Sequence, residues 1–277
     1  LLNYFIQMKI LLNNDDLNKA LIGVRNLGFI PTMGSLHKGH ISLIQKSKVD
    51  CNKSIVSIFV NPTQFNNDKD FKRYPRNIKK DLSILKKIDV DFVYIPNFKQ
   101  IYGHKKKKKV RLNNKDKVLC AKFRKGHFEG VIDIMDRLTK LIKPNRIFMG
   151  EKDFQQIFLV KKYIDKKYKN RIITCKTIRD KNQIALSSRN KLLNKKNLYL
   201  VSKLIKNLKS FRKKIKKNTN ILKILNDKKN YLKNFFKIDI EYLELRKIKD
   251  LSNSHKINKS KIFIAFYINK IRLIDNF

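Results

Sequence analysis

Pro31-Thr32-Met33-Gly34-Ser35-Leu36-His37-Lys38-Gly39-His40 is the stretch on which the reading of this chain turns. It follows the short apolar run 28–31 and leads into a segment with Ile41 and Ile44 at helical spacing. That pattern predicts a strand, a turn, and a helix opening near His37. Two histidines three positions apart lie one turn apart on the same side of such a helix start. A helix N-terminus already favours an anion, because its first backbone N–H groups are unpaired and its dipole is positive there. Imidazoles at that place can donate hydrogen bonds to a phosphate whose charge grows in a transition state. Gly39 removes a side chain where a nucleotide must lie close. A plain helix cap with two surface histidines would share the pattern. It is the weaker reading, since the chain has only five histidines.

Outward from this stretch the first part of the chain alternates between strand and helix signals. Candidate strands are 28–31, 54–60, 91–95, 146–149 and 171–177, most of them short apolar runs rich in β-branched or aromatic residues. One helix follows Glu129, with Val131, Ile134, Met135, Leu138, Leu141 and Ile142 on one face before Pro144 stops it. Another carries Phe154, Ile157, Phe158 and Ile164. Strands buried on both faces and separated by helices imply an α/β fold with a doubly wound parallel sheet. All 8 glycines lie at or before Gly150 and all 5 prolines at or before Pro144. That shift in composition marks two domains, 1–177 and a smaller α+β domain at 178–277. The second has helical segments at 195–217 and 219–236, then β-rich stretches at 238–245 and 261–273. No internal repeat is visible.

Charge is conspicuous but diffuse. The 277 residues carry 66 Lys and Arg against 22 acids, a formal net charge of +44. A basic face attracts phosphates, and the reflex reading is nucleic-acid binding. A dedicated surface concentrates its charge, however, and Lys and Arg are about as dense before Lys191 as after it. Lys, Asn and Ile are abundant while Gly, Pro and Trp are scarce, which codon drift in an AT-rich genome explains without a partner. The expectation is no nucleic acid. The run 105–109 reads as a solvated loop tip. No apolar stretch is long enough for a membrane span, and the opening stretch is too polar for a signal peptide. Cys51, Cys120 and Cys175 are odd in number and widely spaced, against a disulfide framework or a cysteine zinc site. A cytoplasmic, reduced protein is expected.

Three further constellations carry chemistry. Asn61-Pro62-Thr63-Gln64 ends the second candidate strand, where open α/β sheets bind ligands. Asn61 and Gln64 offer neutral amides suited to a small hydroxy acid, although an Asn-Pro turn with incidental amides fits equally well. Arg124-Lys125-Gly126-His127 precedes one helix, and Gly150-Glu151-Lys152-Asp153-Phe154-Gln155-Gln156 opens the next. Lys152 can reach phosphates, while Asp153 also reads as an ordinary N-cap. Leu186-Ser187-Ser188-Arg189 places two hydroxyls and a guanidinium together, apt for triphosphate oxygens but also for a polar linker.

Taken in order, these segments resemble one family, the pantothenate synthetases (pantoate–β-alanine ligases), within the nucleotidyltransferase superfamily that shares His-x-Gly-His. The likeness runs through PTMGSLHKGH, VSIFVNPTQF, Arg73-Tyr74-Pro75-Arg76, DFVYIP, RKGHFEGV, GEKDFQQ and LSSRN, and closes with Arg272-Leu273-Ile274-Asp275-Asn276. It is dense over the first 190 residues and an outline from 191 to 269. The resemblance implies a Rossmann-like catalytic domain, a C-terminal lid, a homodimer, and a two-step ligation. In that reaction ATP and (R)-pantoate give pantoyl adenylate and pyrophosphate, and β-alanine then displaces AMP to form pantothenate. It further implies ATP contacts from Met33, Gly34, Ser35, Leu36, His37, Lys38, Gly39 and His40, with His40 as proton donor and His37 beside it. Gly150, Glu151, Lys152, Asp153, Ile178, Leu186, Ser187, Ser188 and Arg189 complete the implied ATP site. Lys152 joins the two histidines in catalysis. Asn61, Gln64, His127 and Gln156 are implied around pantoate and β-alanine, and Asp81 at Mg²⁺.

The chain departs from the family pattern at Lys125 (usually Pro), Lys80 (usually an acid) and Asn182-Gln183 (usually Asp-Gly). Losing that Gly costs turn flexibility. None of these changes removes a group implied in chemistry, so an active enzyme of reduced stability is expected. Another adenylyl or cytidylyl transferase would keep the paired histidines without NPTQF and GEKDFQQ.

Overall fold

Leu27–Thr32 pairs on both sides with strands running in its own direction, and that parallel arrangement organises the larger sheet. In the computed structural model, residues 8–103, 110–215 and 220–277 are described; the lysine run expected at a loop tip lies outside them. The chain runs β1 (Lys9–Leu11), α1 (Asn14–Leu21), β2 (Leu27–Thr32), α2 (Lys38–Asp50), β3 (Lys53–Ile58), α3 (Asp68–Arg73), α4 (Ile78–Lys87), β4 (Phe92–Tyr94) and α5 (Phe98–Tyr102). It continues with α6 (Cys120–Phe123), α7 (His127–Ile142), β5 (Arg146–Gly150), α8 (Phe154–Val160), α9 (Lys166–Tyr168) and β6 (Arg171–Cys175). After these come α10 (Lys195–Lys214), α11 (Ile221–Phe236), β7 (Asp239–Lys247), β8 (Ser260–Ile268) and β9 (Ile271–Asn276).

The six-stranded sheet has the order β1-β4-β3-β2-β5-β6 with every pairing parallel. Successive residues Phe29 and Ile30 of β2, and Ile55 and Val56 of β3, are all fully buried. Neighbouring residues on a strand face opposite ways, so both faces of the sheet are covered, as the apolar runs predicted. From β2 the chain steps to β3 and β4 on one side, then returns to β5 and β6 on the other. The order therefore reverses between β2 and β5, and the crevice beyond their carboxyl ends is where such sheets take a ligand. Thr32 ends β2 and Gly150 ends β5. Sequence reading gave five of these strands; β1 is the sixth, a three-residue edge strand with only Leu11 buried.

Packing under β2 is tight. A Cβ on Gly28 would fall on the Ser47 hydroxyl oxygen of α2 and crowd Cys51 and Phe148. The Ser47 and Ser54 hydroxyls, both fully buried, satisfy each other at 2.7 Å. Leu43 and Ile44 of α2 join Ile30, Val56, Val93 and Leu85 in one apolar cluster. Helix starts draw on the abundant Asn: Asn13, Asn67, Asn77, Asn97, Asn194 and Asn220 each cap a helix with a side-chain oxygen.

Contacts divide the chain into two units. The first holds 1–112, 124–151 and 156–176; the second holds 113–123, 152–155 and 177–277. Within the second, β7, β8 and β9 form an antiparallel sheet in that order. Leu204, Leu208, Leu225 and Leu232 of α10 and α11 share a core with Ile262, Ile264 and Phe266 of β8. The β-rich stretch 261–273 resolves into two strands, because Asn269 and Lys270 both take positive φ (47° and 65°) and form the tight hairpin turn. The three cysteines are buried free thiols, and no described helix is long and apolar enough to cross a membrane.

Gly28→Ala is expected to destabilise the protein by about 1–3 kcal/mol through overpacking against α2. Urea unfolding should show a lower midpoint with an unchanged slope; an unaltered midpoint would contradict the close approach.

Candidate active site

At the N-terminus of α2 the two histidines are tied to the backbone and to each other. His37 is the N-cap, and its Nδ1 accepts from the Gly39 N–H at 3.1 Å. His40 Nδ1 accepts from the His37 N–H at 3.3 Å, completing a reciprocal capping box. The ring centroids are 4.1 Å apart at 33°. A neutral imidazole has one donor and one acceptor nitrogen. With Nδ1 accepting, the proton sits on Nε2 in both rings, and each presents an N–H donor at the positive end of a helix.

The turn from β2 into α2 is held from below. Gly34 and Ser35 both take left-handed conformations, at φ 76° and 54°. Gly34 suits this, and a Cβ there would stand 2.9 Å from Asp81 Oδ2. Ser35 is strained by the same geometry, and the Asp81 carboxylate compensates. Its Oδ2 accepts from the Ser35 N–H and its Oδ1 from the Leu36 N–H, each at 2.8 Å. Thr32 Oγ1 donates to the Ser57 carbonyl at 2.7 Å and accepts from the Gly34 N–H at 3.2 Å. Asp81 is 2% exposed with both oxygens engaged by loop amides. Among the described residues no group of three or more His, Cys, Asp or Glu converges to hold an ion. Lys80, the neighbour of Asp81 on α4, is exposed.

The loop after β3 carries the amides, and the structure separates their roles. Asn61 is fully buried. Its Nδ2 donates to the Gly130 carbonyl at 3.2 Å, and its Oδ1 accepts from Tyr102 Oη at 2.9 Å and from Thr63. Burial pushes the Tyr102 phenol up to about 12, so it stays protonated and donates. Asn61 therefore braces the loop from inside the protein. Gly130 completes the brace: a Cβ there would collide with the Thr63 carbonyl. Gln64 is half-buried, and its Nε2 lies 2.7 Å from Met33 Sδ, which brings the amide loop against the histidine loop. His127 Nδ1 donates to the Gln64 carbonyl at 2.7 Å, and its Nε2 accepts from Arg124 Nη1 at 2.8 Å. A carbonyl only accepts and a guanidinium only donates, so His127 holds the opposite tautomer from His37 and His40. It thereby links Arg124 to the backbone of Gln64. Tyr102 lies outside the sequence motifs, whereas Arg124 stands in the motif of His127, three residues before it.

Gly150 and Glu151 close the first unit's run at the end of β5, and Gln156 is half-buried in the first turns of α8. Lys152, Asp153, Ile178 and 186–189 belong to the second unit. There Lys152 Nζ pairs with Asp153 Oδ1 at 3.2 Å. The Leu186 N–H donates to the Ile178 carbonyl at 3.0 Å, closing a small hairpin over 178–186. Gln183 takes φ 70° at its tip, a conformation in which glycine would be relaxed. Asp180 Oδ1 compensates by accepting from the Asn182 and Ile184 N–H groups. The Ser187 side chain caps the following turn, accepting from the Arg189 N–H at 3.3 Å.

Asp81→Ala is expected to lower stability by about 1–3 kcal/mol for each buried amide it orphans. Millimolar Mg²⁺ is expected to leave the melting temperature of the nucleotide-free protein unmoved; a rise of several degrees that Asp81→Ala abolishes would place a metal there.

The pantoate-beta-alanine ligase family model matches residues 9–277. A pantothenate synthetase from Francisella tularensis subsp. novicida is 38% identical over 266 residues, 94% of this chain and 92% of that protein. The crystal structure of pantoate-beta-alanine ligase from Francisella tularensis, complexed with beta-gamma ATP and beta-alanine, is similar at 35% identity and a TM-score of 0.84, covering 98% of this chain and 97% of that one. Pantothenate synthetase from Thermus thermophilus aligns at 26% identity with a TM-score of 0.89, over 98% of this chain and 99% of that one. On this evidence the chain belongs to the pantoate–β-alanine ligase family.

Proposed function

We propose that the protein condenses (R)-pantoate with β-alanine at the expense of ATP, through an enzyme-bound pantoyl adenylate, as a cytoplasmic homodimer. A pantoate carboxylate oxygen attacks the α-phosphorus and pyrophosphate leaves. The β-alanine amine then attacks the acyl carbon, forming the amide bond and releasing AMP. A carboxylate is a poor acylating agent, and the adenylate supplies it with a good leaving group.

The observation that carries this reading is the pair of Nε2–H donors fixed at the N-terminus of α2, at the carboxyl end of β2. Charge on the phosphate oxygens grows as the α-phosphorus is attacked, and donors already oriented there stabilise it without reorganisation. Met33, Gly34, Ser35, Leu36, Lys38 and Gly39 line the same turn for ATP, with His40 the proton donor and His37 its neighbour. Gln64, held beside Met33 by Asn61 and His127, suits the hydroxyls and carboxylate of pantoate, and Gln156 joins it. Lys152 supplies a cation to the phosphates, with Gly150, Glu151, Asp153, Ile178 and 186–189 around the nucleotide. ATP and β-alanine as ligands are supported by the similar Francisella ligase, which was crystallised with beta-gamma ATP and beta-alanine. Mg²⁺ fits as the counter-ion of ATP's own phosphates, since the described residues offer no carboxylate cluster for it.

Pyrophosphate–ATP exchange with pantoate present and β-alanine absent tests the first step. Exchange that depends on pantoate is expected, and its absence would overturn the adenylate route. His40→Ala is expected to reduce exchange by at least roughly a hundredfold with an unchanged circular-dichroism spectrum. Full retained exchange would remove its role.

A further inference from the structure

The closing motif Arg272-Leu273-Ile274-Asp275-Asn276 is absorbed by none of the roles above, although the resemblance includes it. It forms β9, and its last two residues are nearly inaccessible, Asp275 at 4% and Asn276 at 5% exposure. Asn276 Nδ2 donates to the backbone carbonyl of Lys152 at 2.9 Å. Asp275 forms a two-pronged pair with Arg179, Nη1 to Oδ2 at 2.6 Å and Nη2 to Oδ1 at 2.8 Å. Arg179 Nη1 also donates to the Gln183 carbonyl, so the same guanidinium ties the hairpin base to its tip. Asp275 Oδ1 also accepts from the Asn276 N–H at 2.8 Å, coupling the two grips.

We infer that Asn276 and Asp275 are positioning residues for the nucleotide, Asn276 fixing the backbone of Lys152 and Asp275 the hairpin that carries Ile178 and Leu186. The inference rests on the proposed role of Lys152 at the phosphates. The physical reason is that Lys152 sits in one short helical turn at the end of β5. A long, flexible side chain there delivers its charge reproducibly only if its backbone is held. The Asn276 amide holds the main chain and leaves the ammonium to pair with Asp153 or a phosphate. The Arg179–Asp275 pair has excellent geometry and little solvent around it, with side chains 15% and 3% exposed. Such a pair fixes orientation more than it adds stability.

The test is a double-mutant cycle on pyrophosphate–ATP exchange, with melting temperature measured alongside. Asn276→Ala is expected to lower kcat roughly ten- to a hundredfold, the cost of misplacing a group by about an ångström, with the KM for pantoate unchanged. In a Lys152→Ala background the same substitution is expected to cost nothing further in kcat. Its effect on melting should be equal in both backgrounds, because the lost bond is to a backbone carbonyl that Lys152→Ala retains. If Asn276→Ala does not fold, Asn276→Asp, of the same shape but with an acceptor facing the carbonyl, takes its place in the cycle. An undiminished kcat in the single variant, or an equal fold-loss with and without the lysine side chain, would overturn the inference. A wild-type chain that does not exchange, or a Lys152→Ala variant at full rate, would instead fell the reading beneath it and the inference with it.

Discussion

At the start of α2, two backbone N–H groups and two imidazole nitrogens satisfy one another, and much of the molecule is arranged so that they can. The capping box spends the Nδ1 acceptors of His37 and His40 on the Gly39 and His37 amides. This leaves the protonated Nε2 of each ring as a donor beside the positive end of the helix. The bonds are local, but their direction depends on where α2 begins. That is set by a turn with two consecutive left-handed residues, by the buried Asp81 carboxylate beneath it, and by Thr32 bridging to β3. A carboxylate between two backbone amides is a strong, charge-assisted support.

The sheet supplies the rest by topology. Because its order reverses between β2 and β5, the histidine turn and the segment leading to Lys152 leave from neighbouring strands, and the amide loop leaves from β3 on the other side of β2. The amide loop is fixed by Tyr102 and Gly130 around Asn61, and by His127 with Arg124 at the Gln64 backbone. The tautomers of the three histidines follow from the chemistry of their partners, two of one kind and one of the other.

Much of this was legible in the chain. Short apolar runs broken by amphipathic segments marked the parallel sheet, and His-x-Gly-His marked the anion site, because both patterns are local. What escaped was set by distant or weak partners. Lys9–Leu11 has one buried residue and no alternation to betray an edge strand. The hairpin between β8 and β9 looks like one stretch in the sequence because its turn is Asn269-Lys270, without the glycine that usually advertises such turns. Segments 113–123 and 152–155 join the second unit through contacts such as Cys120 with Tyr242 and Phe154 with Phe263, which no periodicity encodes. Asp81 and Asn61 carry side chains suited to ligands, and only the fold shows the backbone groups they also hold. Abundant Asn, part of the same compositional bias as Lys, serves at helix starts.

The account stands or falls on which nitrogen holds the proton at the start of α2. Long-range nitrogen–proton NMR of protein labelled with ¹⁵N-histidine, assigned with His→Gln variants at neutral pH, reads this directly. The structure requires the Nε2–H tautomer at His37 and His40 and the Nδ1–H tautomer at His127. A proton on Nδ1 of either His37 or His40 would contradict the reciprocal cap, and with it the pair of donors on which phosphate chemistry at this site depends.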